Sequence, residues 1–101
     1  MKKQFIYSFE WDPEKARRNL RDHRIPFERG ATVFQDPNAL SLYDDDHSDD
    51  EDRWITLGQD RTGIILVISH TYREETDAHI TIRIISARKA TRKEQNNYER
   101  K

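Results

Sequence analysis

The sequence predicts an α+β fold in one domain spanning residues 1–101: an N-terminal strand and a two-helix hairpin packed on a mainly antiparallel sheet, followed by a C-terminal helix. Three observations carry that prediction. The stretch "WDPEKARRNLRDHR" opens with a helix-starting Asp-Pro-Glu triplet. Ile64–Ile68 is a run of five aliphatics behind Gly63, the pattern of a central strand covered on both faces. "TRKE", Thr91 to Glu94, has the spacing of a capping box.

The elements follow in order. Phe5–Glu10 alternates loosely and is rich in aromatics, so it reads as a short strand. Asp12 caps the first helix, Pro13 suits its first position, and Glu14 favours the positive end of the dipole. Ala16, Leu20 and His23 recur at helical spacing and form the expected apolar stripe. The helix stops before Pro26. A second helix, Phe27–Phe34, repeats the spacing through Phe27, Ala31 and Phe34, with Gly30 allowing close packing. Leu40–Tyr43, Arg53–Gly58, Gly63–His70 and His79–Ala87 read as strands. The links Gln59–Thr62 and Arg73–Asp77 are short and polar, which predicts an antiparallel meander whose last register stays open. The final helix starts near Thr91 and carries few apolar residues.

Composition narrows the function. Hydrophobic residues make up 34% of the chain and charged residues 37%, so the core is thin and a bound partner would stabilise it by mass action. The absence of cysteine excludes disulfides and thiolate zinc sites. The N-terminal apolar run is broken by Ser8 and Glu10, so no signal peptide or membrane span is expected, and the expected compartment is the cytoplasm. Charge is unevenly distributed. Asp36 to Asp52 holds eight acidic residues and no Lys or Arg, so the remainder has 18 basic and 11 acidic residues, a net of +7. Arg83 to Lys101 alone is +5, which suits a phosphate backbone.

Several residues stand out as candidates. The run "DDDHSDDEDR" offers oxygen ligands and His47, but it lacks the glycine and spacing of a calcium loop. A solvated mobile loop is the plainer reading, so no metal or other cofactor is expected. His23 lies on the expected apolar stripe and His70 ends the central strand; either imidazole can move protons near neutral pH. Arg83 interrupts the face opposite Ile80, Ile82 and Ile84. A guanidinium there must reach solvent or be paired, either on phosphate with Arg73 and Arg88 or with Glu10, Glu51 or Glu94. Lys89, Arg92 and Lys93 add positive charge around the last helix. Glu94 completes the cap with Thr91, and Tyr98 either packs on the sheet or stacks on a base.

The pairing of "FEWDPEKARRNLRDHRIPFERGATVF" with "IRIISARKATRKEQNNYER" resembles the BrnT family of bacterial toxins over nearly the whole chain, Phe9 to about Arg100. The resemblance implies a RelE-like fold, ribonuclease activity and a place in a type II toxin–antitoxin pair. It implies a BrnA-like ribbon-helix-helix antitoxin as partner, a hetero-oligomer, and operator DNA bound through the antitoxin. The residues it points to are His23, Arg73, Arg83, Arg88, Glu94 and Tyr98. Two departures stand out: the acidity of "DDDHSDD", and "HRIPF" where a glycine-containing His-Gly-x-x-Phe turn is usual.

RNA carries its own nucleophile, the 2′-hydroxyl, so a metal-independent cleavage needs only alignment, charge stabilisation and proton transfer. On that reading Arg73, Arg83 and Arg88 stabilise charge, His70 or His23 moves protons, and Tyr98 stacks or donates. The competing reading is a non-catalytic module that binds the antitoxin or nucleic acid through the same basic groups.

Overall fold

The computed structural model describes residues 5–100. Its elements are β1 (Ile6–Glu10), α1 (Pro13–His23), α2 (Phe27–Ala31), β2 (Leu40–Tyr43), β3 (Trp54–Gln59), β4 (Ile65–His70), β5 (Arg73–Glu74), β6 (His79–Lys89) and α3 (Arg92–Glu99). Single 3₁₀ turns occupy Thr32–Gln35 and Asp45–His47. This is the α+β architecture expected, in six strands ordered β1-β6-β4-β3-β2, with β5 also beside β6.

The long strand β6 organises the sheet. Its first half lies between β1, in parallel from Ile6↔His79 to Glu10↔Arg83, and the short β5, where Arg73 faces Thr81. Its second half pairs antiparallel with β4, with a register shift between Ser69 and His70. The meander β3-β4-β6, which β2 extends across the acidic loop, was legible as consecutive strands joined by short links. The parallel β1–β6 pair was not, because it joins segments about seventy residues apart.

Alternation along the strands divides the apolar residues between two faces. On the helix side, Leu66, Ile68, Ile80, Ile82, Ile84 and Ala87 pack with Ile25, Phe27 and Val33 in the main core. Gly30 permits this approach, since a Cβ there would lie 3.2 Å from Ile68 Cδ1 and 3.3 Å from Ala87 Cβ. On the outer side, Ile65 and Val67 meet Ala90 and Tyr98 under α3. The aliphatic run is therefore covered on both faces, as its composition requires, except for Ile64, which is exposed.

Helix α1 departs from the expected stripe. Leu20 is 47% exposed and His23 is also exposed, while Asn19 is buried. The reason is hydrogen bonding. β1 ends at Glu10, opposite Arg83, so the edge of β6 is open beyond that point. Asn19 closes it: its Oδ1 accepts from Ala87 N–H at 3.0 Å, and its Nδ2 donates to Ala87 O at 2.8 Å and Ile25 O at 2.9 Å. A buried backbone edge needs such partners, and this requirement outweighs burial of a leucine. The second helix is also shorter than expected, because its last turn tightens into the 3₁₀ turn Thr32–Gln35.

The "HRIPF" departure has a backbone consequence. Arg24 caps α1 with φ 61° and ψ 24°, the left-handed conformation that glycine adopts without strain, and its N–H donates to Leu20 O. Holding a Cβ there costs about 1–2 kcal/mol. Glycine removes that cost but loses roughly 0.5–1 kcal/mol more chain entropy on folding. Arg24→Gly is expected to stabilise the fold by up to about 1 kcal/mol, read as a raised midpoint in thermal unfolding. A lowered midpoint would show that the arginine side chain contributes more than its backbone strain costs.

α3 buries more than its composition suggested. Tyr98 is 8% exposed, and its hydroxyl donates to Asp36 Oδ2 at 2.5 Å. That hydrogen bond, aided by burial, pushes its pKa up to about 12. Tyr98 is thus a packing residue that ties α3 to the segment before β2; it is not presented for stacking on a base.

Candidate functional site

The site is built on the outer face of β6. With Ile80, Ile82 and Ile84 turned into the helix-side core, Thr81 and Arg83 face outward. Arg73 lies beside Thr81 across the β5–β6 ladder and shares that face. Beyond the bulge, Arg88 stands opposite the outward-facing Val67. The three arginines therefore occupy one side of the sheet, but not one point. A strand rises about 3.3 Å per residue, so Arg83 and Arg88 are roughly 15 Å apart along β6. Arg73 and Arg83 form the closer pair, on the neighbouring strands β5 and β6.

Each arginine is held by a carboxylate. Arg73 Nε donates to Glu75 Oε1 at 2.6 Å, and its Nη2 lies 3.8 Å from Glu10 Oε1. Arg83 Nη2 donates to Glu51 Oε2, so one of the pairings foreseen for it is present. The other oxygen of Glu51 lies 3.7 Å from Nε of Arg53, a buried atom with no hydrogen-bond partner. A single carboxylate thus stands between two guanidinium groups. The acidic loop that supplies it is largely exposed, as the charge run suggested, and it also makes hydrogen bonds of its own. Asp44 N–H donates to Arg53 O at 2.9 Å, Ser48 Oγ donates to Asp44 O at 2.5 Å, and Tyr43 Oη donates to Asp52 Oδ1 at 2.8 Å. These bonds tie the loop across the connection between β2 and β3. Among the described residues no three metal-ligating side chains converge.

Arg88 is engaged differently. Its fork donates Nη1 to Glu94 Oε1 and Nη2 to Glu94 Oε2, both at 2.9 Å. Glu94 also accepts from Thr91 N–H at 2.8 Å, while Thr91 Oγ1 accepts from Glu94 N–H at 3.2 Å, completing the capping box. Asp12 fulfils its predicted role as well, its Oδ1 accepting from Glu14 N–H at 2.9 Å. The Arg88 fork, helped by the Thr91 N–H, holds the Glu94 carboxyl down from 4.5 to about 2. A depressed carboxyl stabilises the fold fully above its unfolded pKa, and that stabilisation is lost as pH falls through 4.5 toward 2. Arg88 is 40% exposed, so solvent screening reduces the gain to about 1 kcal/mol. Glu94→Gln is expected to cost that amount at neutral pH and almost nothing near pH 2, in urea unfolding at both pH values. An equal cost at both would assign the effect to the cap alone.

The histidines are dispersed. His23 is exposed at the end of α1, on a shallow surface with Arg18 and Asp22. His70 is on the helix side, only 2% exposed. Its Nδ1–H donates to Thr71 O at 2.9 Å, and its Nε2 lies 2.7 Å from the Thr56 hydroxyl, which is 2.7 Å from Ser41 Oγ. Burial lowers its pKa, so it stays neutral, with both nitrogens engaged in structure. Neither of these imidazoles reaches the arginine pair. His79, which sequence reasoning passed over, does face it. His79 shares the outer face with Arg83, and its Nε2 lies 2.7 Å from Ser8 Oγ on β1. The alternation of "HITIR" already placed His79 on the face of Arg83. Lys89, Arg92 and Lys93 are exposed near the start of α3, where positive charge opposes the helix dipole and so gives the helix no support.

Comparison with known proteins gives this geometry a family. A family model described as "Ribonuclease toxin, BrnT, of type II toxin-antitoxin system" matches residues 11–94. The chain belongs to the BrnT family. The matched span runs from Trp11 to Glu94 and so includes Asn19, Arg73, Arg83, Arg88 and the capping box. The crystal structure of the Brucella abortus ribonuclease toxin BrnT is similar in fold, with a TM-score of 0.56 and 18% identity, over 90% of this chain and all of that one. No curated protein sequence matches the chain. Membership in a type II toxin–antitoxin family implies an antitoxin partner for this BrnT-family chain. No helix among the described residues is long and apolar enough to cross a membrane.

Proposed function

We propose that this chain is a metal-independent endoribonuclease toxin of the cytoplasm whose working surface is the outer face of β1, β5 and β6. The observation that supports this reading best is the Arg73–Arg83 pair on one open sheet face, with His79 and Ser8 beside it. The RNA 2′-hydroxyl attacks the adjacent phosphorus, the 2′-oxygen–phosphorus bond forms, and the bond to the 5′-oxygen breaks. Arg73 and Arg83 stabilise the charge that gathers on the phosphoryl oxygens. His79 takes the proton from the 2′-hydroxyl, and the leaving 5′-oxygen takes one from a solvent water. Arg88 serves as a cap partner, and Lys89, Arg92 and Lys93 attract the flanking backbone. Phosphate must first displace Glu51 from Arg83, and in doing so it takes the place of the carboxylate that also stands beside Arg53.

A BrnA-like ribbon-helix-helix antitoxin is the proposed partner. It silences the toxin by covering the arginine pair, and the complex binds operator DNA through the antitoxin. A second reading, a binding module without catalysis, is favoured by one observation: every arginine of the face already has an internal carboxylate. Incubating the antitoxin-free protein with total RNA separates the two readings. Cleavage that disappears in Arg73→Ala supports the enzyme; intact RNA supports the module.

A further inference from the structure

The helix side of the sheet carries a cavity that the proposed chemistry does not use. It has a volume of about 330 Å³ and opens where the helices no longer cover the strands. Four aromatic residues line it: Tyr7, Phe34, Trp54 and Tyr72. They form two ring systems, with Trp54 6.5 Å from Tyr72 on one side and Tyr7 6.4 Å from Phe34 on the other, measured between centroids. Tyr7 and Tyr72 are 40% and 43% exposed, so both present aromatic surface to an incoming group. At the floor His70 is edge-on to Phe34 at 4.9 Å, beside Ser41. The polar floor already satisfies itself through the Ser41–Thr56–His70 hydrogen bonds, and His70 is neutral, so the floor adds no positive charge.

The charge around the mouth is negative. Glu74 pairs with Ile80 and therefore lies on the cavity's side of the sheet, next to Tyr72 and in the row of Tyr7. Tyr43, whose ring packs on Trp54 at 5.3 Å, holds Asp52 at its hydroxyl. Trp54 follows directly after the acidic loop, residues 44–52, which contains seven carboxylates and no Lys or Arg. Open aromatic faces attract cations through their quadrupole, and carboxylates at the rim strengthen that preference. The same carboxylates repel a polyanion, so a nucleobase on its phosphate backbone is disfavoured here.

We infer that this cavity is a docking site for a lysine or arginine side chain from a basic segment of a protein partner, received between Trp54, Tyr72 and Tyr7 with the acidic loop against its flanking positive charge. It lies on the face of the sheet opposite the arginine pair, so partner binding here leaves that pair open. The site stands apart from the ribonuclease reading, and its test reads binding alone.

The test uses the uniformly ¹⁵N-labelled full chain titrated with N-acetyl-arginine amide, with N-acetyl-norleucine amide and adenosine as comparison probes. The arginine amide is expected to move the Trp54 indole N–H and the amides of Tyr7 and Tyr72, with affinity about tenfold above that of the norleucine amide. Glu74→Gln, an exposed substitution, is expected to weaken the arginine amide severalfold and leave the norleucine amide unchanged. Tyr72→Leu is expected to weaken the arginine amide likewise, by removing an aromatic wall, and it does not disturb the buried core. Equal affinity for the two amides, tighter binding of adenosine than of the arginine amide, or no shift at these resonances up to the probe's solubility would each overturn the inference.

Discussion

Arg83→Ala is expected to lower RNA cleavage by about a hundredfold to a thousandfold, the loss usual when one donor to a developing oxyanion is removed. It is expected to do so in a protein that stays folded. The Arg83 and Glu51 side chains are 34% and 39% exposed, and an ion pair open to water to that degree contributes roughly 0–1 kcal/mol to stability. The arginine leaves no unfilled core volume, since Ile82 and Ile84 on the opposite face close that part of the core. Arg83→Lys keeps the charge but loses the planar fork, so partial activity is expected. Glu51→Gln acts in the other direction. It removes the carboxylate that phosphate must displace, and RNA binding is expected to tighten severalfold in a filter-binding assay. Growth arrest by a folded Arg83→Ala variant would remove Arg83 from the active surface.

Asn19→Ala is expected to damage the fold more than any of the other substitutions above, at about 3 kcal/mol in denaturant unfolding. Three backbone groups lose their partner: the Ala87 N–H, the Ala87 carbonyl and the Ile25 carbonyl. Each buried polar group left unpaired costs roughly 1–3 kcal/mol, and water entering beside α1 recovers part of that sum. Asn19→Asp makes a sharper test than alanine because it conserves volume. Its carboxylate still accepts from Ala87 N–H but faces two carbonyl oxygens with no proton to give. A loss at least as large as for alanine is therefore expected at neutral pH. A cost below about 1 kcal/mol for both variants would show that the β6 edge finds other partners. The open edge explains why a polar residue holds a core-facing position on α1, where helical periodicity alone favoured Leu20.

What the sequence revealed depended on how local the cause was. The Thr91–Glu94 box, the Asp12 cap and the alternation of Ile80, Ile82 and Ile84 arise from neighbours within a few residues, and each was readable. The shared face of Arg73, Arg83 and Arg88 was not, because alternation alone puts Arg88 on the face of Ile84, the register shift in the β4–β6 ladder turns it back, and Arg73 reaches that face through the short β5. Tyr98 looked available for stacking because its partner, Asp36, is 62 residues away in the chain. His70 looked available at the end of a strand, yet Thr56 and Phe34 enclose it from other elements. In the acidic run the charge density was visible and the internal hydrogen bonds were not. His79 had a visible signal, its even spacing from Arg83 along one strand. Its significance depends on Ser8 of β1, and no local pattern announces the parallel β1–β6 pairing that brings the two together.

The most direct measurement is the end chemistry of a single labelled RNA incubated with the antitoxin-free protein in excess EDTA. Cleavage is predicted to persist without divalent metal and to leave 2′,3′-cyclic phosphate on one fragment and a free 5′-hydroxyl on the other. Folded Arg83→Ala is predicted to yield neither fragment above background. Intact RNA, cleavage that requires metal, 5′-phosphate ends, or undiminished cleavage by Arg83→Ala would contradict the proposed chemistry.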